Sequence, residues 1–142
     1  MRIMAIDVGD KTIGVALTDP LGLIAQGHST IQRTGIRKDC GKIMDIAKET
    51  DCHIIVIGLP INLDGSDSVQ TQKVREFKNM LENKMKSSSM SKIRTVFQDE
   101  RFTTLQADKV LRESSMKRKK RKEVVDKQAA ILILQGYMDS QI

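Results

Sequence analysis

Three acidic positions in this chain stand where neighbouring residues call for apolar side chains or for no second charge close by. Asp7 shares a strand face with Ile3 and Ala5 near the carboxyl end of an apolar run, where open sheets carry their functional groups. Asp99 and Glu100 stand together at the end of a later apolar run and are followed at once by Arg101. Asp126 falls on the helical face of Ala129, Ala130 and Ile133, a stripe that must press against a sheet. Singly, each has an ordinary reading: strand ends and first helical turns often carry acids, an aspartate favours a helix N-terminus, and Asp99 suits an Asx turn. Brought together they repel, and burying them unpaired is costly. A divalent cation resolves that conflict. Oxygen-only ligands select Mg²⁺ or Mn²⁺, and Mg²⁺ keeps water or substrate phosphate at the positions that carboxylates leave open.

The chemistry such a site suits is phosphodiester hydrolysis. Two ions about 3.5 to 4 Å apart would activate the attacking water and stabilise the leaving oxygen of an in-line displacement. No side-chain nucleophile is then required, and the sequence offers no Ser-His-Asp or Cys-His constellation. Cations are placed to hold flanking phosphates: Lys11 in the first turn, Arg101 beside the acid pair, and the run Lys117, Arg118, Lys119, Lys120, Arg121 and Lys122 just before the helix that bears Asp126. Residues 1–100 carry 14 basic and 13 acidic side chains, whereas 101–142 carry 10 and 5, so the net charge of +6 is concentrated in the last third. That third is expected to meet a polyanion. Aromatic residues make up only 3% of the chain, which favours recognition by backbone and shape over base-stacking platforms. His28 and His53 lack Cys or Glu at zinc-ligand spacing, and Cys40 and Cys52 are expected as free, buried thiols.

The elements that must position these groups follow from periodicity. With 142 residues, 39% of them apolar, the chain is expected to fold as a single domain, 1–142, around one core. The run Ala129–Leu134 is far below the roughly 18 to 20 residues of a membrane helix, and Asp7 interrupts any signal-like core, so a cytoplasmic protein without a membrane partner is expected. Residues 3–8, 13–18 and about 23–31, joined by turn chemistry, predict an antiparallel meander. A helix over about 35–50 aligns Ile36, Cys40, Ile43 and Ala47, and the β-branched run 53–58 predicts an interior parallel strand. The next helix aligns Val74, Phe77, Leu81 and Met85, and a strand follows over 93–98. Thr103 and Gln106 have capping-box spacing, with Phe102 placed to staple onto Ala107. A last helix is expected over about 123–138, with the basic run before it as the mobile segment. The order βββαβαβαα predicts an α/β protein with a five-stranded mixed sheet flanked by helices. The strands bearing Asp7 and Asp99-Glu100 are expected to be neighbours, and the small Ala129-Ala130 pair lets the last helix approach them closely.

Four motifs in order, Ala5-Ile6-Asp7-Val8-Gly9-Asp10-Lys11-Thr12-Ile13-Gly14-Val15-Ala16, Gly58-Leu59-Pro60 leading to Asp64-Gly65-Ser66, Asp99-Glu100-Arg101-Phe102-Thr103-Thr104, and 126–135, closely resemble the YqgF family, also called RuvX-like. The resemblance spans nearly the whole chain. It implies a ribonuclease H-like fold, metal-dependent nuclease activity, and a bacterial cytoplasmic protein that trims the 5′ end of precursor 16S rRNA, with the ribosomal small subunit as a possible partner. An older family label, Holliday junction resolvase, implies branched DNA as the alternative substrate. Carried over by motif, Asp7, Glu100 and Asp126 would be the acidic triad that holds the metal. Strand alternation turns Asp99 to the face opposite Glu100, so Glu100 is the one expected to reach it. Two other readings compete. An actin-like ATPase shares the first motif but needs a second lobe and a second glycine-rich phosphate loop, which the segment after Gly58 lacks. A non-catalytic, ribosome-associated nucleic-acid-binding module would use the basic run and leave the acids structural. Junction resolution needs paired active sites, so a homodimer would favour the resolvase and a monomer the RNA-trimming role.

Overall fold

Two runs that are apolar on both faces become the centre of the sheet, because only a strand covered from above and below can bury every side chain it carries. The computed structural model describes residues 2–100 and 118–141, with side chains from 127 onward in the second stretch. In it β1 (Arg2–Val8) and β4 (Cys52–Leu59) lie side by side and parallel. β2 (Thr12–Thr18) pairs antiparallel with β1, β3 (Ala25–Gln32) pairs antiparallel with β2, and β5 (Arg94–Asp99) pairs parallel with β4. The sheet order is β3-β2-β1-β4-β5. This corrects one expectation: β1 and β5 are not neighbours, since β4 separates them. The physical reason is burial. β4 is apolar almost throughout, whereas β5 is half-exposed along its length and suits an edge.

Helices α1 (Ile36–Glu49) and α2 (Val69–Ser87) cover one face of the sheet. Cys40, Ile43 and Ala47 from α1 meet Val74, Phe77, Leu81 and Met85 from α2 over Met4, Ile6, Val8, Ile55 and Ile57. Both cysteines are free and buried. The Ser68 side chain caps α2 by accepting from the Thr71 amide, and the Thr71 hydroxyl accepts in return from the Ser68 amide, so the helix begins at a defined residue beyond β4. Helix α3 (Arg118–Ser140) covers the other face, packing Ala130, Ile133, Leu134 and Tyr137 on Ala5, Ala16 and Val56.

Two boundaries differ from expectation. β3 begins at Ala25, because Leu23 and Ile24 belong to an exposed turn in which both their amides donate to Asp19 Oδ1 at 2.7 Å. α3 already includes Arg118, so the basic residues from Arg118 to Lys122 are part of the helix and do not precede it; Lys and Arg are good helix formers, and nothing in the run stops the helix from extending through it. The capping box expected at Thr103 and Gln106, with its Phe102 staple, lies outside the described residues. Among the described residues no helix is long and apolar enough to cross a membrane.

Candidate active site

Asp7 stands beside Gly14 of β2, and the β1–β4 register, which pairs Ile6 with Ile57, brings Gly58 next to it on the other side. Gly58 pairs in turn with Gln98 of β5. By strand alternation Asp7 shares the α3 face with Ala5, Gly14 with Ala16, and Gly58 with Val56. Asp7 is thus flanked on both neighbouring strands by residues without side chains, near the carboxyl end of β1.

Glu100 uses the space at Gly58. A Cβ there would stand 2.6 Å from Glu100 Oε2 and 3.0 Å from its Cδ. The missing side chain lets a carboxylate from the end of β5 lie over β4 towards Asp7, which is how two residues on non-adjacent strands come to interact. The Glu100 amide donates to the Leu59 carbonyl at 3.3 Å and anchors this reach. The side chain is only 8% exposed, and among the described residues its Oε2 has no hydrogen-bond partner. Burial, then the negative charges of Asp7 and Asp99, push its carboxyl up to about 9. Asp99, by contrast, is exposed.

A hard cation fits this arrangement. Glu100 offers a buried oxygen that the described residues leave unsatisfied, Asp7 adds negative charge on the same face, and the donors on this face are oxygen. Of the other expected site residues, Lys11 lies exposed in the turn after β1, at the same edge of the sheet. Asp126 belongs to α3, one turn before Ala130, but its side chain and those of Arg118, Lys119, Lys120, Arg121 and Lys122 lie outside the described residues, as do Arg101 and Lys117 altogether. Among the described residues no group of three metal-ligating side chains is complete.

The RuvX family, with the description Holliday junction resolvase, matches residues 1–140. The chain belongs to the RuvX family. A relative from Clostridium tetani (strain Massachusetts / E88), named for pre-16S rRNA nuclease activity, is 46% identical over 140 residues, covering 99% of this chain and 97% of its own. A similarly named relative from Thermoanaerobacter pseudethanolicus (strain ATCC 33223 / 39E) is 48% identical over 142 residues, covering 99% and 98%. The crystal structure of Fowlpox virus resolvase with its substrate Holliday junction DNA matches at a TM-score of 0.63 and 11% identity, covering 100% of this chain and 99% of the viral one. That likeness is one of fold, ribonuclease H-like. Within this RuvX chain, Gly58 is the site residue that sequence reasoning passed over: it reads as the end of a strand before a turn, and its role depends on which strand lies between β1 and β5. Its signals are a glycine closing a β-branched run and its place at the head of the Gly58-Leu59-Pro60 motif, neither of which says what it makes room for.

Proposed function

We propose that this chain is a metal-dependent nuclease that hydrolyses phosphodiester bonds and processes the 5′ end of precursor 16S rRNA in ribosome biogenesis. The observation that carries this reading is the meeting of Asp7 and Glu100 across Gly58, with a buried Glu100 oxygen that lacks a partner among the described residues. Asp7, Glu100 and Asp126 would hold Mg²⁺ or Mn²⁺, which when bound in a pair supplies an activated water and charge neutralisation at the leaving oxygen. Glu100 gives up its proton on loading, since a neutral carboxyl is a poor ligand for a hard cation. Lys11, Arg101 and the run from Lys117 to Lys122 hold flanking phosphates. The names of the RuvX relatives, which specify pre-16S rRNA nuclease, support precursor rRNA as substrate; a small-subunit setting in the cytoplasm is the expectation that goes with that substrate.

A second reading, resolution of Holliday junctions in DNA, is supported by the fold shared with the viral resolvase. One experiment separates these readings: wild type and Asp7→Asn are compared on precursor 16S RNA and on a four-way DNA junction, with Mg²⁺, Mn²⁺ or chelator, and the oligomeric state is measured alongside. Cleavage of the RNA that needs the metal and is lost in Asp7→Asn, with binding retained, is the expected result. Symmetric cutting of the junction by a stable dimer would move the assignment to the second reading. Binding with no cleavage under any condition would leave a non-catalytic module.

A further inference from the structure

The turn that follows Asp7 is a two-residue hairpin loop, Asp10-Lys11, closed by the Gly9 amide donating to the Thr12 carbonyl at 2.9 Å. Hairpins this short favour corners with positive φ, which match the twist of the strands, yet neither Asp10 nor Lys11 has one. Such a turn needs support from outside, and the rest of the fold supplies it. Arg33 Nη1 donates to the Gly9 carbonyl at 2.7 Å, and the Arg33 amide donates to the Lys11 carbonyl at 2.9 Å. Gln70 Nε2, from α2, donates to the Val8 carbonyl at 2.9 Å, and Lys73 Nζ, one turn on, pairs with Asp10 Oδ1 at 3.1 Å.

Arg33 is itself held. Its Nε donates at 2.6 Å to Asp39 Oδ2, its guanidinium lies over the Phe77 ring at 5.6 Å, and Asp39 is fully buried while also accepting from the Thr34 amide at 3.0 Å. Burial pushes the Asp39 carboxyl up, but the Thr34 amide and the Arg33 guanidinium outweigh it and hold the carboxyl below its ordinary value. The pair is therefore ionised at neutral pH. An arginine is required because one planar fork must serve two acceptors, the Asp39 carboxylate and the Gly9 carbonyl, in fixed directions.

These bonds sort the turn. The carbonyls of Val8, Gly9 and Lys11 are taken up by Gln70 and Arg33, and the Asp10 carboxylate is drawn to Lys73. The amides of Asp10 and Lys11 donate to no acceptor among the described residues. Two backbone N–H groups and the Lys11 ammonium remain, a donor set that suits the non-bridging oxygens of one phosphate. We propose that Arg33, fixed by Asp39, is a positioning residue that locks the Gly9–Thr12 turn in the form presenting the Asp10 and Lys11 amides and the Lys11 ammonium to one phosphate of the bound strand. This rests on the reading of the adjoining acids as a nucleic-acid cleavage site.

The test uses the ¹⁵N-labelled full chain titrated with inorganic phosphate against chloride at matched ionic strength, and steady-state cleavage of precursor RNA. In the wild type the Asp10 and Lys11 amide resonances shift saturably. Arg33→Met abolishes those shifts and raises KM about tenfold with kcat within about threefold, the pattern of lost uniform binding; Arg33→Lys recovers less than half of either. Should Arg33→Met fail to fold, Gln70→Ala removes only the Val8 bond, and it weakens the same two shifts at least threefold. Absent wild-type shifts, or shifts and KM that both ignore Arg33→Met, overturn the proposal; where only Gln70→Ala can be read, shifts that ignore it do the same. Wild-type shifts that the variants weaken, in a protein that cuts no nucleic acid, would overturn the nuclease reading and leave the phosphate cradle standing.

Discussion

Glu100 is more comfortable protonated than charged, and that has opposite consequences for stability and for activity. Its folded value of about 9 lies above the ordinary 4.5, so its contribution favours the fold fully below pH 4.5 and is lost as pH rises through about 9. Glu100→Gln removes this slope. In chelator at pH 8 it should be more stable than the wild type by about 1 to 3 kcal/mol in urea denaturation, because folding the wild type at that pH forces the Glu100 carboxyl to take up a proton, which a neutral amide need not do. The same variant should be inactive, and Mg²⁺ should stabilise the wild type but not the variant; a less stable variant in chelator would mean that Glu100 has a cationic partner when folded. Gly58 is the counterpart of this residue. Gly58→Ala inserts a methyl group into the volume held by the Glu100 carboxylate and the Ile133 side chain. The expected cost is about 1 to 3 kcal/mol of stability. Cleavage should fall at least tenfold at saturating metal, about 1.4 kcal/mol in the barrier, since the carboxylate must swing off β4. Equal activity in both proteins would show that Glu100 does not work from this position.

The elements were legible in the sequence wherever a single period governs them. The stripe Val74, Phe77, Leu81 and Met85 and the both-sided run of β1 read directly as a helix face and a central strand, and both are buried as read. The strand order was not legible, because nothing local distinguishes β5 beside β1 from β5 beside β4; that choice is made by which strand has two apolar faces to hide. Gly58 went unread for the same reason, its role being created by the order. Nor was the start of β3, where Asp19 takes two amides that a ladder would otherwise use. The inward-facing alanines of the last helix were legible, and they carry a prediction. Ala130 is fully buried in the layer formed with Ala5 and Ala16. Ala130→Leu overpacks that layer and should lower stability by about 1 to 3 kcal/mol in denaturant titration. Because Asp126 lies one turn away on the same helix, cleavage by the still-folded fraction should fall as well. Full activity per folded molecule would detach the helix position from the chemistry.

Charge is distributed unevenly along the chain, and on the proposed nuclease reading that distribution would join substrate capture to the acids. The amino-terminal hundred residues are nearly neutral, and the excess of cations gathers in the remainder, where the basic residues from Arg118 to Lys122 lie on the same helix that carries Asp126. At about 1.5 Å per residue the backbone positions of those residues are roughly 6 to 12 Å along the axis from that of Asp126, so on the proposed reading a strand held by them would be registered against the acids by one helix. Phosphate contacts of this kind release counterions, and for single strands the slope of log affinity against log salt is about −0.7 per phosphate neutralised. Replacing Lys117 to Lys122 with glutamine should therefore weaken binding of precursor RNA at low salt and flatten the slope by about 2 to 4 units. The rate at saturating RNA should change little, because the run grips the strand equally before and during the reaction. An unchanged slope would assign these cations to solubility or to another partner. A flattened slope with a collapsed saturating rate would mean that the run aligns the scissile bond as well as holding the strand, which is the stronger form of the coupling that a shared helix allows.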